Sequence, residues 1–174
     1  MKRTGRKRRH ATTPSDHRQF FVRQANLGDI GVLVQQRSAM WKSMGVRGEG
    51  KLAKANRDYK KWASKRLRNG TLRGWLAQNR DGTIAGGGCL WLQPIQPRPG
   101  RTQEVQPYLL SMYTSPAFRG RGVASKIVRE AAKWTRRNGY PSLRLHASEM
   151  GRGVYRNLGF KRTWEMRLNF ARHR

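Results

Sequence analysis

Apolar residues recur along this chain at two spacings, which predict helices and strands in turn. Helical spacing follows Asn26–Asp29, covers 51–69, and is clearest over Val123–Arg137. Asn138-Gly139 ends the last of these helices. We therefore expect three substantial helices, with a short fourth helix over Gly151–Leu158.

The segments between the predicted helices have the character of strands. Thr71–Gln78 and Thr83–Gln93 flank an Asp81-Gly82 turn, which is typical of a β-hairpin. Five further strands are predicted, at Phe20–Arg23, Gln106–Thr114, Leu143–Ala147, Phe160–Thr163 and Met166–Phe170. The mixture of elements predicts a fold that combines helices with a sheet, and the length suits a single domain.

The charge of the chain points to an acidic partner. Its 38 Lys and Arg against 9 Asp and Glu give a formal charge of +29 over 174 residues. We expect residues 1–19 to form a flexible basic arm and 20–174 to form one domain, which still holds most of the charge. A single sign at this density makes the compact state repel itself, and a polyanion relieves that repulsion. The sequence therefore favours RNA or a ribonucleoprotein as a partner, although a soluble enzyme with a biased surface has the same composition.

Two groups of basic residues are the candidates for contact with nucleic acid. One group lies in the arm, and the other forms a stripe at steps of three or four along the helix predicted over 51–69. They are Lys2, Arg3, Arg6, Lys7, Arg8, Arg9, Lys54, Arg57, Lys61, Lys65 and Arg68.

Composition also excludes several classes of protein. Cys89 is the only cysteine, so an internal disulfide framework and a multi-cysteine zinc site are excluded, and we expect no metal. No apolar run approaches the roughly 18 residues of a membrane span. The basic start is not followed by an apolar stretch, which argues against secretion and favours the cytoplasm.

A glycine-rich turn between a predicted strand and a predicted helix is the most informative stretch. It spans Thr114–Ala124 and includes Gly120 and Gly122. Glycine lets the main chain approach a ligand closely, and the amides at a helix N-terminus converge where the helix dipole adds positive charge. The turn therefore favours a phosphate or pyrophosphate at 119–124, although an ordinary tight turn has the same pattern. It is not a Walker loop, because no Gly-Lys-Ser/Thr follows.

In this context the stretch 110–124 resembles the acyl-CoA motif of the GNAT superfamily of N-acyltransferases, which runs strand, Arg/Gln-x-x-Gly-x-Gly/Ala, helix. Arg119, Gly122 and Ala124 stand at the fixed positions of that motif. Further along, Tyr155–Phe160 resembles the closing Tyr-x-x-x-Gly-Phe element of the family. The resemblance covers nearly the whole chain apart from the arm.

The resemblance implies a mixed α/β fold of the α+β kind, with a mostly antiparallel central sheet and about four helices. It also implies that two strands separate, where the strand ending near Thr114 meets Leu143–Ala147, and that acetyl-CoA binds in the gap. Main-chain groups of Met112 and Thr114 would contact its pantetheine arm, and the amides of 119–124 its pyrophosphate. The implied cofactor-binding residues are Met112, Tyr113, Thr114, Arg119, Gly120, Arg121, Gly122, Val123, Ala124, Ser125 and Ser148.

The resemblance also suggests which residues carry the chemistry. The tyrosine at the position of Tyr155 often donates a proton to the departing thiolate in this family, and its alternative role is an aromatic plug against the cofactor. Ser148 stands where many members have Asn, so contact with the cofactor there is expected to be weaker or mediated by water.

The general base is the open question in this sequence. Many members carry a Glu on the strand at Leu109–Met112, where this chain has none, and Glu104 lies too early. An amine must lose a proton before it attacks, so His146, Glu149 or a chain of water molecules must take the proton.

Two functions fit these observations. One is an acetyl-CoA-dependent N-acetyltransferase, whose acceptor is expected to be acidic because basic residues crowd the first two helices. The other is a structural RNA-bound protein that keeps the fold with little or no catalysis. Both can hold in an enzyme resident on a ribonucleoprotein, and a homodimer is compatible with either.

Overall fold

The computed structural model describes residues 20–100 and 103–170, and the basic arm lies outside these residues. The sheet has five strands in the order β1-β2-β3-β4-β5. The elements in chain order are β1 (Phe21–Gln24), α1 (Ile30–Ser43), α2 (Glu49–Arg68), β2 (Leu72–Gln78), β3 (Ile84–Pro94), β4 (Val105–Thr114), α3 (Val123–Arg137), β5 (Arg144–Leu145) and α4 (Arg152–Asn157). Strands β1 to β4 are antiparallel and β5 is parallel to β4, so the predicted mixed fold is confirmed.

Each face of the sheet is covered by helices. The helix α3 places Ile127, Val128 and Ala131 in a core on one face, because its apolar residues repeat every three or four positions. The helices α1 and α2 cover the other face and contribute Leu33 and Tyr59 to a second core. The sheet therefore lies between α3 on one face and α1 and α2 on the other.

A run of three glycines in β3 brings β4 and the helices close to the sheet. A Cβ built on Gly86 would lie 2.5 Å from the main-chain oxygen of Tyr113, and one on Gly88 would lie 2.2 Å from the Met112 sulphur. Real Cβ atoms essentially never come so close to another heavy atom, so the close packing depends on the absence of side chains at these glycines.

The edge of the sheet beyond β4 is irregular. The pairing of β3 with β4 shifts register between Gly87 and Cys89, and the facing Ser111 has a φ of 53°. This is the geometry of a β-bulge, which bends a strand and redirects its side chains. Beyond it, β4 pairs with β5 at only two positions, Tyr108 with Arg144 and Leu109 with Leu145.

The two closing strands predicted at 160–163 and 166–170 are wrong, and the strand predicted at 143–147 is reduced to two residues. Trp164, Met166, Leu168 and Phe170 do alternate with polar residues, but they are 101%, 94%, 77% and 83% exposed. Alternation shows which side of an extended segment is apolar, but a strand also needs a neighbour to pair with. Residues 161–170 have none within the described part of the chain.

Candidate active site

The candidate site is the gap that opens where β4 and β5 separate. The strands pair through Leu109 and Leu145 and then diverge, so the edge of β4 from Leu110 to Thr114 that faces away from β3 is not paired with β5. An extended ligand can pair with such an edge as an added strand would. The predicted residues Met112, Tyr113 and Thr114 lie along this edge and are all half-buried.

At the wide end of the gap, a short turn leads from β4 into α3. Gly120 and Gly122 have φ values of 75° and 78°, in the left-handed region that favours glycine. Arg119 Nε donates a hydrogen bond to the Thr114 carbonyl at 3.3 Å, which ties the turn to the end of β4. The sequence therefore folds into the tight turn that its glycines predict.

The helix α3 begins at this turn without a side-chain cap. Gly122 is its N-cap residue, and no side chain of the described chain hydrogen-bonds to the cap. The first amide N–H groups of an α-helix have no partner within the helix, so those of Val123, Ala124 and Ser125 can receive a ligand at this turn. The basic side chains of Arg119 and Arg121 lie in the same turn.

Tyr155, the predicted acid, lies on α4, the helix that follows β5. Its ring packs against the core on the α3 side and makes an edge contact with Phe160, with the ring centroids 5.7 Å apart. Burial raises the pKa of Tyr155 above its usual value, because an apolar environment disfavours the phenolate. The phenol therefore retains its proton in neutral solution.

Ser148 has a local role that the sequence did not indicate. Its Oγ accepts a hydrogen bond from the Gly151 amide at 3.2 Å, just before α4 begins. Ser148 is exposed, as is the alternative base candidate Glu149. Glu104, which the sequence analysis placed too early to act as the base, is exposed ahead of β4.

His146 is the first residue after the paired part of β5 and lies at the narrow end of the gap. It contacts two side chains that the sequence analysis did not single out. Tyr108 Oη on β4 contacts its Nδ1, and Glu165 Oε1 lies 2.5 Å from its Nε2. The alternation of residues along β4 could have indicated which face of the sheet Tyr108 lies on. No local pattern indicates that Glu165, in residues 161–170, contacts His146.

Cys89 is fully buried within β3. Its thiol lies 3.7 Å from Tyr59 Oη, and burial raises its pKa to about 11. Such a thiol stays protonated in neutral solution and is a poor nucleophile, so Cys89 serves the packing between the sheet and α2.

The basic stripe of α2 lies on its outer face. The five predicted residues are exposed, and Lys54 pairs with Asp58 at 2.8 Å. The stripe is therefore accessible to a partner. The six predicted residues of the arm lie outside the described residues.

Two features are absent from the described residues. None of their helices is long and apolar enough to cross a membrane. They also contain no group of three or more His, Cys, Asp or Glu side chains that could hold a metal ion.

Comparisons with known proteins agree with this architecture. Residues 37–160 match the model of the acetyltransferase (GNAT) family, and the chain therefore belongs to that family. No curated protein matches the chain in sequence.

Solved structures share the fold over nearly their whole length. A GCN5-related N-acetyltransferase from Ralstonia eutropha JMP134 is 27% identical with a TM-score of 0.77, over 87% of this chain and 98% of that one. An acetyltransferase from Clostridium acetobutylicum, solved with acetyl-CoA, is 24% identical with a TM-score of 0.76, over 86% and 96%. A ribosomal-protein-alanine N-acetyltransferase from Brucella melitensis biovar Abortus 2308 is 16% identical with a TM-score of 0.64, over 87% and 99%. Membership of this family establishes an acyltransferase that uses acetyl-CoA.

Proposed function

We propose that this protein transfers the acetyl group of acetyl-CoA to an amine of an acidic acceptor. The observation that carries the proposal is the junction of the gap between β4 and β5 with the uncapped start of α3. The extended pantetheine arm of acetyl-CoA fits the gap between the strands, and its pyrophosphate fits the start of α3.

The residues present fit acetyl-CoA. Main-chain groups of Met112 and Thr114 would pair with the pantetheine arm, and the amides from Gly120 to Ser125 would receive the pyrophosphate. Arg119 and Arg121 add cationic donors that suit phosphate oxygens. When bound, acetyl-CoA supplies an activated thioester, whose C–S bond breaks as the N–C bond to the acceptor forms.

Tyr155 would hold the proton that the departing sulphur needs. Its Oη retains that proton because burial raises its pKa, and a phenol releases a proton only when a strong base develops beside it. Its position on α4 is fixed by the Phe160 contact and by the core on the α3 side.

The charge around α1 and α2 selects the acceptor. Arg37 lies on α1 with its guanidinium 4.5 Å from the centre of the Tyr59 ring, and one of its nitrogens is buried without a hydrogen-bond partner. Lys42 and Lys51 lie on the same two helices. A cationic acceptor would be repelled here, whereas a molecule that carries a carboxylate or phosphate beside its amine would be attracted.

The test is thiol release from acetyl-CoA with a panel of amines that differ in net charge. We expect turnover to favour acidic acceptors, and Tyr155→Phe to lower kcat about 100-fold with unchanged affinity for CoA. Tyr140→Phe is the matched control, because Tyr140 stacks on Trp134 away from the gap. Binding of CoA without turnover on any amine would contradict the proposal.

Association with RNA or a ribonucleoprotein is a second proposed property, supported by the exposed stripe on α2. Next to the stripe, a cleft of about 230 Å³ is lined by Lys65, Arg66 and Trp91, among others. The Arg66 guanidinium lies 5.8 Å from the centre of the Trp91 ring, so the cleft has aromatic and cationic surfaces that can receive a base. The retained turn before α3 argues that such a protein would keep its cofactor rather than serve as a scaffold alone.

Salt dependence of RNA binding tests this second property. Each phosphate contact on a single strand makes the slope of log K against log salt steeper by about 0.7. Replacing Lys54, Lys61 and Lys65 by Glu removes three such contacts and should make the slope shallower by about 2. Reversing Lys133, which pairs with Glu130 on α3, is the control. An affinity that does not change with salt would contradict RNA binding through the stripe.

A further inference from the structure

Three polar side chains from separate parts of the chain meet at the narrow end of the gap. Tyr108 comes from β4, His146 follows β5, and Glu165 comes from the extended residues 161–170. Two contacts join them in the order tyrosine, imidazole, carboxylate. Each ring nitrogen of His146 therefore has one partner.

The chemistry of the carboxylate determines the direction of both hydrogen bonds. An ionised Glu165 can only accept, so His146 Nε2 must carry a hydrogen and donate it. In a neutral imidazole the other nitrogen, Nδ1, is then an acceptor, and Tyr108 Oη must donate to it. The chain of bonds thus runs from the phenol O–H through the imidazole to the carboxylate.

This chain of bonds lies on the side of the sheet that α1 and α2 cover. Leu109 and Leu145 pack toward α3, and successive strand residues alternate in direction, so Tyr108 and His146 point to the opposite face. Arg144 is the charged residue on that face of β5, directly opposite Tyr108 in the register. The same face carries the basic residues that we propose to attract the acceptor.

The acceptor amine must lose a proton to a base, and β4 carries no acidic residue along its unpaired edge. Another group must therefore take that proton. The stretch from Leu109 to Met112 contains only apolar residues and Ser111. Tyr108, His146 and Glu165 are titratable side chains that contact one another beside the paired end of β4. Glu149, the other candidate, is exposed on the way to α4 and makes none of these contacts.

We propose that Tyr108, His146 and Glu165 form a proton relay that deprotonates the acceptor amine, an inference that rests on the proposed function. Tyr108 Oη accepts the amine proton while its own proton passes to His146 Nδ1. The imidazolium that results is held by Glu165 and later returns its proton to water. Tyr108 is thus the catalytic residue, and His146 and Glu165 are positioning residues that act through it.

The relay gives Tyr155 and Tyr108 opposite tasks. Tyr155 lies in an apolar environment that holds its proton, as a general acid requires. Tyr108 has an imidazole beside its oxygen, which can take the phenolic proton at the moment that the amine gives one up. Pairs of titratable groups in contrasting environments are a common basis for dividing acid and base roles.

Kinetics of three near-isosteric variants test the relay in the full-length protein. We expect Tyr108→Phe, His146→Gln and Glu165→Gln each to lower kcat about 100-fold, with unchanged affinity for CoA and unchanged unfolding midpoint. Glu130→Gln and Tyr140→Phe are controls on the surface of α3 and in the loop after it.

A spectroscopic readout separates the relay from a merely structural contact. Long-range ¹H–¹⁵N correlation spectra of the free protein should show His146 as the Nε2–H tautomer, assigned by its loss in His146→Gln. Glu165→Gln should shift the population of tautomers, because an amide can also donate.

The outcomes distinguish the two proposals. If the wild type acetylates amines but the three variants keep its kcat, the relay is wrong and the proposed function stands. An Nδ1–H tautomer in the wild type would overturn the relay as well. If the wild type acetylates no amine, the proposed function fails and the relay fails with it.

Discussion

Arg23 on β1 holds Asp29, just before α1, through two hydrogen bonds, from Nη1 to Oδ2 at 2.8 Å and from Nη2 to Oδ1 at 2.7 Å. The carboxylate also accepts from the Asn26 amide at 2.9 Å. Because Asp29 is almost buried, these bonds fix the start of α1 against the sheet. The position of the proposed acceptor face therefore depends on this ion pair.

Loss of the Asp29 charge should destabilise the fold. Asp29→Asn weakens charge-assisted bonds in a nearly buried site and should cost about 2 kcal/mol in the free energy of unfolding, measured by urea denaturation at neutral pH. Asp58→Asn removes an exposed pair on α2 and should leave the free energy of unfolding almost unchanged. Equal effects of the two substitutions would contradict the role of the Arg23 pair.

The same ion pair predicts a dependence of stability on acid. The hydrogen bonds from Arg23 lower the pKa of Asp29 in the folded protein. The stabilisation is then fully present above the pKa of an unfolded Asp, about 3.9, and is lost as the pH falls through the lower folded value. The difference in stability between wild type and Asp29→Asn should therefore shrink below about pH 4, as measured by urea denaturation across that range.

The glycines of β3 should differ in their tolerance of a methyl group. Gly86→Ala places the new atom against main chain of β4 and should cost about 3 kcal/mol, because a strand must move. Gly88→Ala meets the flexible end of Met112 and should cost about 1 kcal/mol. Gly31→Ala, on α1 with no atom within 4 Å, should be neutral or stabilising, which denaturation of the three variants would check.

The turn before α3 offers a matched pair of glycines. Gly122 and Gly139 have φ values of 78° and 73°, so alanine at either should cost about 1 kcal/mol of stability. Only Gly122→Ala also moves the amides at the start of α3, and it should weaken CoA binding about 10-fold by calorimetry. Equal CoA affinity in the two variants would place the pyrophosphate elsewhere.

The raised pKa of Tyr155 predicts the alkaline side of the pH profile. A general acid must be protonated. Burial raises the pKa of Tyr155, so its phenol stays protonated beyond the ordinary tyrosine pKa of about 10. The kcat should therefore stay level up to about pH 10, in initial rates corrected for spontaneous thioester hydrolysis. A decline centred near neutral pH would show that another group acts as the acid.

Much of the fold could be predicted because its signals are local. The period of Val123–Arg137 and the Asp81-Gly82 turn each specify one element, and the glycine turn before α3 has the geometry that its residues require. Residues 160–170 gave an equally clear alternation, yet no strand forms there, because pairing depends on a partner that the pattern does not contain.

The candidate site divides in the same way. The residues of the turn and Tyr155 could be read from two motifs, whereas the contacts of His146 could not. Tyr108, His146 and Glu165 are 38 and 19 residues apart along the chain, and only the packing of β4, β5 and 161–170 brings them together. Long-range contacts between single polar residues leave no periodic trace in a sequence.

The exposed row from Trp164 to Phe170 has a consequence for regulation. Glu165 lies between Trp164 and Met166, which are almost fully open to solvent. A partner that covers these two side chains would also restrain the backbone of Glu165 between them. Binding of a partner at Trp164 and Met166 would thus change the position of Glu165, and with it the contact between Glu165 and His146. Such a partner would alter turnover without contacting the cofactor.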